Sequence, residues 1–460
     1  MKKILVLGAG LVSRPMVRYL LDVPDFEVVV ASRTVSKAQE LVGNHPRGKA
    51  VALNVDNGAD LEKQVAAADL AVSLLPYTYH VKVAEHCLKY KKPLVTTSYV
   101  SDAMRALDSE AKAAGVIFLN EIGLDPGIDH MSAMKVIHEV QKTGGKVVSF
   151  MSYCGGLPAP EANDNPLGYK FSWSPKGVVM AGRNDARYLK DGKEVFIPGP
   201  ELFGNRWPLK VADGYEFEAY PNRNSLPYIE TYGLAGIRTM LRGTLRNPGW
   251  CETLKAIADL GLLKDDSVKT GISGLTPAAW LRQYVRRDMT ETSDVSDRVP
   301  SASALRADVA AKLGLKPDNA ILERFAWLGL FDEKPIGLDA GSNLDILAKQ
   351  MLDRMAYKPG ERDMIILHHE FITEKPQASS PKPQAEKVFS TLIAFGVPGG
   401  DTAMARTVSL PAAIGVRMIL AGELKLTGVQ IPVLSEIYEP VLAELARLGI
   451  ECKERKEPAA

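Results

Sequence analysis

A glycine-rich run near the N-terminus has the residue types and spacing of a dinucleotide-binding turn. Gly8, Gly10 and Ser13 follow a short apolar segment, in a G-x-G-x-x-S variant of the usual fingerprint. Gly8 permits a tight turn, Gly10 lets backbone approach a pyrophosphate, and Ser13 replaces the third glycine. Leu11 and Val12 open the following helix, whose first amides can donate to phosphate oxygens. The run predicts dinucleotide binding, and the alternative is a glycine turn without a ligand.

The second predicted strand ends in residues that favour a phosphorylated ribose. NAD-binding proteins place a carboxylate at this point, whereas this sequence continues with Ser32, Arg33 and Thr34. Lys37 lies nearby. Because a guanidinium presents a planar fork of donors that suits a 2′-phosphate, we expect NADP(H) rather than NAD(H). The alternative is that Arg33 only stacks on adenine and Lys37 is a solvated helix residue.

The first third of the chain alternates short apolar runs with amphipathic segments, which is typical of βαβ units around a parallel sheet. The predicted strands are Lys3 to Leu7, Glu27 to Ala31, Ala50 to Asn54, Leu70 to Leu74, Pro93 to Thr96 and Val116 to Leu119. The fourth strand leads into Leu75 and Pro76 at the carboxyl edge of the sheet. Their backbone is expected to pass over the nicotinamide ribose.

The whole chain is long enough for more than one hydrophobic core, and its pattern predicts an α/β fold in three parts. They are a Rossmann-type doubly wound parallel sheet, a second α/β domain with a mixed sheet for substrate and dimerisation, and an all-helical insertion. The Rossmann domain is predicted at residues 1–129 and 401–460, the second domain at 130–243 and 357–400, and the insertion at 244–356. A Pro- and Ser-rich run at 375–384 predicts a long exposed loop between two strands.

Composition excludes several classes of function. The formal net charge is +1 with both signs interspersed, so we expect neither a nucleic-acid nor a membrane partner. The four cysteines form no CxxC pair, and adjacent residues in His368-His369-Glu370 point to opposite faces of a strand, so no metal is expected. Without a recognisable secretory leader or membrane-spanning run, the protein is expected to be soluble and cytoplasmic.

Several longer blocks of sequence are similar to one enzyme family. They are GAGLVSRP, SLLPYTYH, TTSYVSDAM, NEIGLDPGIDH, SYCGGLPAPEANDNPLGYKFSWSP, YPNRNSLPY and AMARTVSLPAA. Together they closely resemble the saccharopine reductase family. The resemblance implies NADPH-dependent reductive condensation of L-glutamate with L-α-aminoadipate 6-semialdehyde to saccharopine, a reversible reaction of lysine metabolism. It also implies a three-domain subunit, often a homodimer, with substrate bound between the first two domains.

The resemblance further implies a set of site residues. Tyr99, Asp125 and Cys154 are the catalytic candidates, and the substrate-binding candidates are Gly155, Trp173, Ser174, Arg223 and Thr244. Arg223 is expected to clamp a carboxylate of the product, which carries three. Asp125 is expected to hold the substrate ammonium, and Tyr99 to orient the imine nitrogen or a water molecule. A nucleophilic role for Cys154 is not expected, because the reaction needs no covalent intermediate and no histidine motif accompanies the thiol.

The remaining candidates have structural alternatives beside their expected roles. Gly155 is expected to let backbone approach substrate, Trp173 to provide a flat wall, and Ser174 to offer a hydrogen bond. Core packing would explain Trp173 equally well. Asp125 before Pro-Gly is also a common turn residue, and Asp129 is predicted as the N-cap of the next helix.

Two other functions stay open at this point. An enzyme like carboxynorspermidine dehydrogenase would apply the same chemistry to a diamine and aspartate semialdehyde, although such relatives typically lack the CGGLPAPEANDNPLGYKFSWSP block. A non-catalytic NADP-binding regulator would keep the fold without activity. The joint presence of Tyr99, Asp125, Cys154 and Arg223 disfavours the regulator.

Overall fold

The computed structural model describes residues 1–264, 267–285, 301–377 and 380–459. The chain divides into two compact units. The first unit comprises Met1–Cys154, Ile229–Ile237 and Arg362–Ala460, and the second comprises Gly155–Tyr228 and Arg238–Glu361. The division into three parts made from the sequence stays a prediction.

The strands and helices are numbered here in chain order. The strands are β1 (Lys2–Leu7), β2 (Phe26–Ser32), β3 (Gly48–Ala52), β4 (Leu70–Ser73), β5 (Leu94–Thr96), β6 (Ile117–Leu119), β7 (Lys146–Pro158), β8 (Ala186–Lys190), β9 (Lys193–Ile197), β10 (Trp207–Ala212), β11 (Tyr215–Pro221), β12 (Thr239–Arg246), β13 (Lys269–Thr270), β14 (Ala340–Gly341), β15 (Asp363–Gln377), β16 (Ser380–Phe395), β17 (Gly428–Gln430) and β18 (Lys453–Pro458). The helices are α1 (Ser13–Asp22), α2 (Val35–Val42), α3 (Gly58–Ala66), α4 (His80–Lys89), α5 (Asp102–Ala106), α6 (Asp108–Ala114), α7 (Ile128–Lys142), α8 (Pro175–Ala181), α9 (Pro227–Thr231), α10 (Trp250–Asp259), α11 (Pro277–Val285), α12 (Ala302–Leu313), α13 (Ala320–Trp327), α14 (Asn343–Met355), α15 (Ala403–Leu420) and α16 (Ser435–Arg447).

A seven-stranded parallel sheet forms the core of the first unit, in the order β17-β6-β5-β4-β1-β2-β3. This doubly wound order confirms the predicted Rossmann-type sheet. Its central strand β1 is buried along the run from Ile4 to Leu7, as expected for a strand covered by helices on both faces. Leu7 lies opposite Ala31 of β2 and Ser73 of β4, so the residues that follow these three strands meet at one edge.

The strands β15, β16 and β18 of the second, nine-stranded sheet lie in the first unit. The pair β15 and β16 is antiparallel from Met364 opposite Phe395 to Gln377 opposite Ser380. The prediction of a long exposed loop at 375–384 is therefore wrong, apart from residues 378–379, which lie outside the described part of the chain. The prolines suggested a loop, yet Pro376 falls where the register of β15 shifts, a place at which a strand tolerates proline.

The second unit combines the strands β8 to β12 of the nine-stranded sheet with the helices α10 to α14. In this sheet β12 pairs antiparallel with β11, which places Thr244 opposite Tyr220. The predicted helical segment is present as helices joined by one short antiparallel pair, β13 with β14. Residues 265–266 and 286–300 of that predicted segment lie outside the described residues.

The helix α15 is long and apolar enough by length and composition to cross a membrane. However, 72% of it is buried inside the structure. It packs against α1, α16 and β15, and the Asp363 carboxylate accepts hydrogen bonds from the amides of Ala403 and Met404 at its start. These contacts are typical of a core helix, since a buried helix passes the same composition test.

Candidate active site

The glycine turn between β1 and α1 has the geometry needed to meet a phosphate. Gly8 has a φ of 113°, and a Cβ at this residue would lie 3.0 Å from the carbonyl oxygen of Leu74. The place of a Cβ on Gly10 has no neighbouring heavy atom within 4 Å, so this backbone faces open space. Leu11 is 70% exposed, and Val12 occupies the N-cap position of α1 without a side-chain cap. The first amides of α1 therefore have no side-chain acceptor at this cap and suit an anion.

Ser13 stabilises this turn with its hydroxyl. The side chain is fully buried, and its Oγ donates to the Gly8 carbonyl at 3.3 Å and accepts from the Gly10 amide at 3.1 Å. The third position of the fingerprint thus holds the turn by hydrogen bonds instead of serving only close packing. Nothing in the spacing of the sequence indicated these two bonds.

The carboxyl end of β2 carries cationic side chains on the same edge of the sheet. Arg33, Thr34 and Lys37 are exposed, and Ser32 accepts a hydrogen bond from the Thr34 amide at 3.2 Å. Thr34 is the N-cap residue of α2 and makes no side-chain capping bond. Because this end has two cations and no carboxylate from residue 32 to residue 37, it fits a ribose phosphate.

A buried histidine joins the ends of β4 and β5. His80 is 4% exposed, and its Nδ1 hydrogen-bonds Ser73 Oγ at 2.8 Å. Its Nε2 hydrogen-bonds Ser98 Oγ at 2.8 Å and Thr96 Oγ1 at 3.2 Å. Burial lowers the pKa of His80 from its ordinary 6.5 to about 4, so the ring is neutral near neutral pH. Leu75, partly buried, and Pro76, exposed, follow β4 at this point.

Tyr99 and Asp125 form a hydrogen-bonded pair at the same edge. Tyr99 Oη donates to Asp125 Oδ1 at 2.8 Å, and both residues are partly buried. Asp125 lies in a tight turn, where a Cβ on Gly127, whose φ is 147°, would come 2.1 Å from the Gly123 carbonyl oxygen. Only glycine fits there.

The predicted N-cap position of Asp129 is wrong, because α7 begins at Ile128 and Gly127 occupies the N-cap position. The Asp129 carboxylate lies inside the helix and accepts a hydrogen bond from the Gly127 amide.

A buried polar chain supports the segment that carries Tyr99. Glu121 is 5% exposed and has a φ of 54°; its Oε1 accepts from the Val100 amide at 2.9 Å. Its Oε2 lies 2.8 Å from His130 Nε2, and His130 Nδ1 lies 2.6 Å from Tyr232 Oη. These hydrogen-bonded side chains connect the backbone directly after Tyr99 to His130 on α7.

In the second unit, Arg223 has an unusual backbone conformation. It is exposed, has a φ of 53°, and accepts a hydrogen bond from the Arg187 amide through its carbonyl at 2.9 Å. Residues other than glycine seldom adopt this conformation, and those that do are concentrated at functional sites. The predicted carboxylate clamp thus lies on a locally constrained loop after β11.

Three polar side chains share one face of β12, since residues two apart on a strand point the same way. Thr244 is flanked there by Arg242 and Arg246, each 6% exposed. The Arg242 guanidinium lies 4.4 Å from the Tyr228 ring centroid, and the Arg246 guanidinium lies 5.0 Å from that of Tyr169. The face thus carries two shielded cations beside a predicted substrate residue.

Trp173 and Ser174 have clear structural roles. Ser174 is the N-cap of α8 and accepts the Gly177 amide at 3.3 Å. The Trp173 ring lies against Gly177, where a Cβ would come within 2.8 Å of it. Their predicted contacts with substrate stay predictions.

The strand β7 carries Cys154 and Gly155. Cys154 is partly buried. A Cβ on Gly155 would lie 2.9 Å from the Leu245 side chain, so close packing against β12 is enough to require glycine there. The expected approach of substrate to this backbone and the role of Cys154 also stay predictions.

Among the described residues, no group of three or more His, Cys, Asp and Glu side chains is arranged to hold a metal ion. The neighbouring His368 and His369 point apart. His368 Nδ1 hydrogen-bonds Thr391, whereas His369 Nε2 hydrogen-bonds Ser132, both at 2.8 Å.

The sequence also matches two family models that together cover nearly all of it. The model of the saccharopine dehydrogenase NADP binding domain matches residues 4–119, and that of the saccharopine dehydrogenase C-terminal domain matches residues 123–450. The chain belongs to the saccharopine dehydrogenase family.

Relatives within the saccharopine dehydrogenase family match nearly the whole of this chain. The chain is 41% identical over 459 residues to saccharopine dehydrogenase (NADP(+), L-glutamate-forming) of Saccharomyces cerevisiae, covering 99% of both chains. It is 38% identical to the mitochondrial alpha-aminoadipic semialdehyde synthase of Bos taurus, covering 98% of this chain and 47% of that protein. The solved apo structure of the S. cerevisiae enzyme matches with a TM-score of 0.86 at 40% identity, covering 99% of this chain and 100% of that one.

In this member of the saccharopine dehydrogenase family, sequence reasoning missed four residues: Arg242 and Arg246 beside Thr244 in the second unit, and His80 and Glu121 beside the segment that carries Tyr99 in the first. Arg242 and Arg246 could have been found from their alternation around Thr244 in the strand RGTLR. His80 and Glu121 gave no such signal, because their partners lie on other elements.

Acid is expected to destabilise this family member through His80. Since unfolding restores its ordinary pKa of 6.5, the stability from the neutral ring is complete above that pH and is lost as the pH falls toward 4. Between neutral pH and about pH 5 the loss amounts to about 2 kcal/mol. His80→Gln should therefore reduce the fall in the unfolding midpoint over this range, and His86→Gln on the same helix should not. An equal fall in wild type and His80→Gln would refute the assignment.

Glu121→Ala is expected to lower the free energy of unfolding by about 3 kcal/mol, because it leaves the Val100 amide and His130 without their buried acceptor. Glu121→Gln keeps a carbonyl oxygen and an amide in the same place, so its loss should stay within about 1 kcal/mol. Urea unfolding of the two variants measures the difference. Equal stability of Glu121→Ala and wild type would contradict the supporting role of this carboxylate.

Proposed function

We propose that this protein catalyses the NADPH-dependent condensation of L-glutamate with L-α-aminoadipate 6-semialdehyde to saccharopine, and the reverse reaction, in lysine metabolism. The observation that carries this proposal is the 41% identity across 99% of both chains with the NADP(+)-dependent, L-glutamate-forming enzyme of S. cerevisiae. The hydrogen-bonded pair of Tyr99 and Asp125 supports it, because the condensation needs polar groups that orient the reacting nitrogen.

The cofactor of the proposed reaction is NADP(H). The open backbone at Gly10 and the start of α1 suit its pyrophosphate, and Arg33 with Lys37 suits its 2′-phosphate. When bound, the nicotinamide supplies the hydride for reduction or accepts it in the reverse direction. The protein holds and orients the cofactor at this edge of the sheet and supplies the charges for its phosphates.

Around the reacting nitrogen, the substrates exchange protons while the amine adds to the aldehyde and water leaves. Asp125 is the proposed acceptor for the glutamate ammonium, because its Oδ1 already accepts from Tyr99 and a carboxylate has further lone pairs. Tyr99 Oη donates a hydrogen bond to Asp125, and its oxygen lone pairs are the proposed acceptors for a hydrogen bond from the protonated nitrogen or from the leaving water. Orientation of this kind supplies much of the rate where no covalent intermediate is needed.

Carboxylate recognition is assigned to the second unit. Arg223 offers an exposed guanidinium on a constrained loop, and Arg246 offers a shielded one beside Thr244. Planar guanidinium groups bind carboxylates in two-point contacts, and saccharopine has three carboxylates to satisfy. Trp173 is proposed as a wall for the aliphatic chain of the substrate, and Cys154 and Gly155 as substrate neighbours without a covalent role.

We also propose that the protein is a cytoplasmic homodimer. Light scattering after gel filtration measures the assembly, and a mass of one chain, 50.0 kDa, would count against it.

The reverse reaction tests the proposal directly. Purified protein given saccharopine should reduce NADP+ and release glutamate, detectable by absorbance and by mass spectrometry. NAD+ should be a much poorer acceptor. Failure to oxidise saccharopine with either nucleotide would remove the proposed activity.

A further inference from the structure

The histidine that joins the ends of β4 and β5 contacts two segments of the site. Resting on the proposed function, we propose that His80 is a positioning residue that couples these two segments. The first, the cofactor loop, is residues 73–76. The second, the tyrosine segment, is residues 96–99. His80 contacts both through opposite nitrogens of one ring.

The bond from Nδ1 controls the cofactor loop. Ser73 is the last residue of β4 and is fully buried, so its hydroxyl has a fixed position. Leu74 follows at once; its amide donates to the Leu7 carbonyl at 2.9 Å, and its own carbonyl lies 3.0 Å from the place of a Cβ on Gly8. A shift of Ser73 would therefore move backbone that lies directly against the glycine turn.

The bonds from Nε2 control the tyrosine segment. Ser98 precedes Tyr99, whose hydroxyl donates to Asp125. The Ser98 carbonyl accepts the Glu121 amide at 3.1 Å, so the backbone here is held on one side by that amide and on the other by the imidazole. A shift of Ser98 would change the direction of the Tyr99 side chain toward Asp125.

A neutral imidazole suits this coupling because it is rigid and has one donor and one acceptor nitrogen. Serine and threonine hydroxyls donate or accept as needed, so both sides can be satisfied at once. The nitrogens are fixed on one planar ring, which means that a displacement on one side is transmitted to the other.

Two amide substitutions of His80 separate the bond made by Nδ1 from the bonds made by Nε2. In His80→Asn the amide replaces the position of Nδ1, so the bond to Ser73 is kept and the link to Ser98 is lost. In His80→Gln the longer side chain replaces Nε2, so the link to Ser98 is kept and the bond to Ser73 is lost. The readouts are the Kd for NADPH, from its fluorescence without substrate, and kcat for saccharopine synthesis. His86→Gln on the same helix is the control and should match wild type in both.

His80→Asn is expected to keep the Kd for NADPH within about twofold and to lower kcat about tenfold, because small displacements of reacting groups cost rate more than binding. His80→Gln is expected to raise that Kd about tenfold, with a smaller change in kcat. Parallel losses in both variants that follow their unfolding midpoints would mean a purely structural histidine and would overturn the proposal, as would two variants like wild type. If wild type makes no saccharopine, the proposed function fails, while the difference in Kd between the two variants still decides the role of His80.

Discussion

Tyr99→Phe is expected to lower kcat about 100-fold, within the range of a positioned proton-transfer group, and to leave the Kd for NADPH within about twofold. The substitution removes only the hydroxyl that donates to Asp125 at 2.8 Å. The phenyl ring keeps its packing, so the loss falls on the orientation of the amine nitrogen and the leaving water. Steady-state rates with glutamate as the varied substrate, combined with NADPH fluorescence titration, separate the two effects.

Substitution of Asp125, the hydrogen-bond partner of Tyr99, tests whether the two residues act together. Asp125→Asn should also lower kcat about 100-fold, because a neutral amide no longer attracts an ammonium. Since the two residues act through one hydrogen bond, the double variant should lose little more than either single variant. Tyr77→Phe is a suitable control, as Tyr77 is 70% exposed and begins the short 3-10 helix Tyr77–Tyr79. Fully additive losses, or a Tyr99→Phe variant with wild-type kcat, would show that the pair does not act as a unit.

Arg33→Asp is expected to weaken NADPH binding about 100-fold while NADH binding changes little or improves. The new carboxylate repels the 2′-phosphate and takes the place that NAD-binding proteins use to bind ribose hydroxyls. Lys37→Ala should cause a loss in the same direction of about fivefold, because it removes one exposed cation from the same end of β2. Binding constants for both nucleotides measure the reversal of preference.

A control for this charge reversal is Arg447→Asp, since the Arg447 side chain is 77% exposed and lies on α16. It should leave both nucleotide affinities unchanged. If Arg33→Asp keeps the wild-type ratio of the two constants, Arg33 does not contact the 2′-phosphate.

The cofactor edge could be predicted from sequence because its signals are local. The strand that ends at Leu7, the turn at Gly8 and the cation at Arg33 occupy short stretches with a strong βαβ pattern. Once a parallel sheet is predicted, the carboxyl ends of its strands must share an edge, so the residues that follow them must lie together.

The supporting contacts could not be predicted because they join distant residues. His130 and Tyr232 are 102 positions apart, and no spacing rule connects them. His80 opens an amphipathic helix, where a buried polar side chain gives no pattern of its own. For Ser174, the resemblance to the family predicted a contact with substrate, whereas in the structure its side chain caps α8 by accepting the Gly177 amide. The sequence predicted a loop at 375–384, where β15 and β16 in fact continue, because proline and serine normally indicate a loop.

NADPH oxidation by the purified protein is the most direct test of the proposed activity, measured with α-aminoadipate semialdehyde and either glutamate or no amine, and separately with aspartate semialdehyde and a diamine. Turnover that depends on glutamate and yields saccharopine, and that Tyr99→Phe lowers about 100-fold, is the predicted result. Turnover with a diamine and aspartate semialdehyde but none with glutamate, or no turnover with any pair, would contradict it.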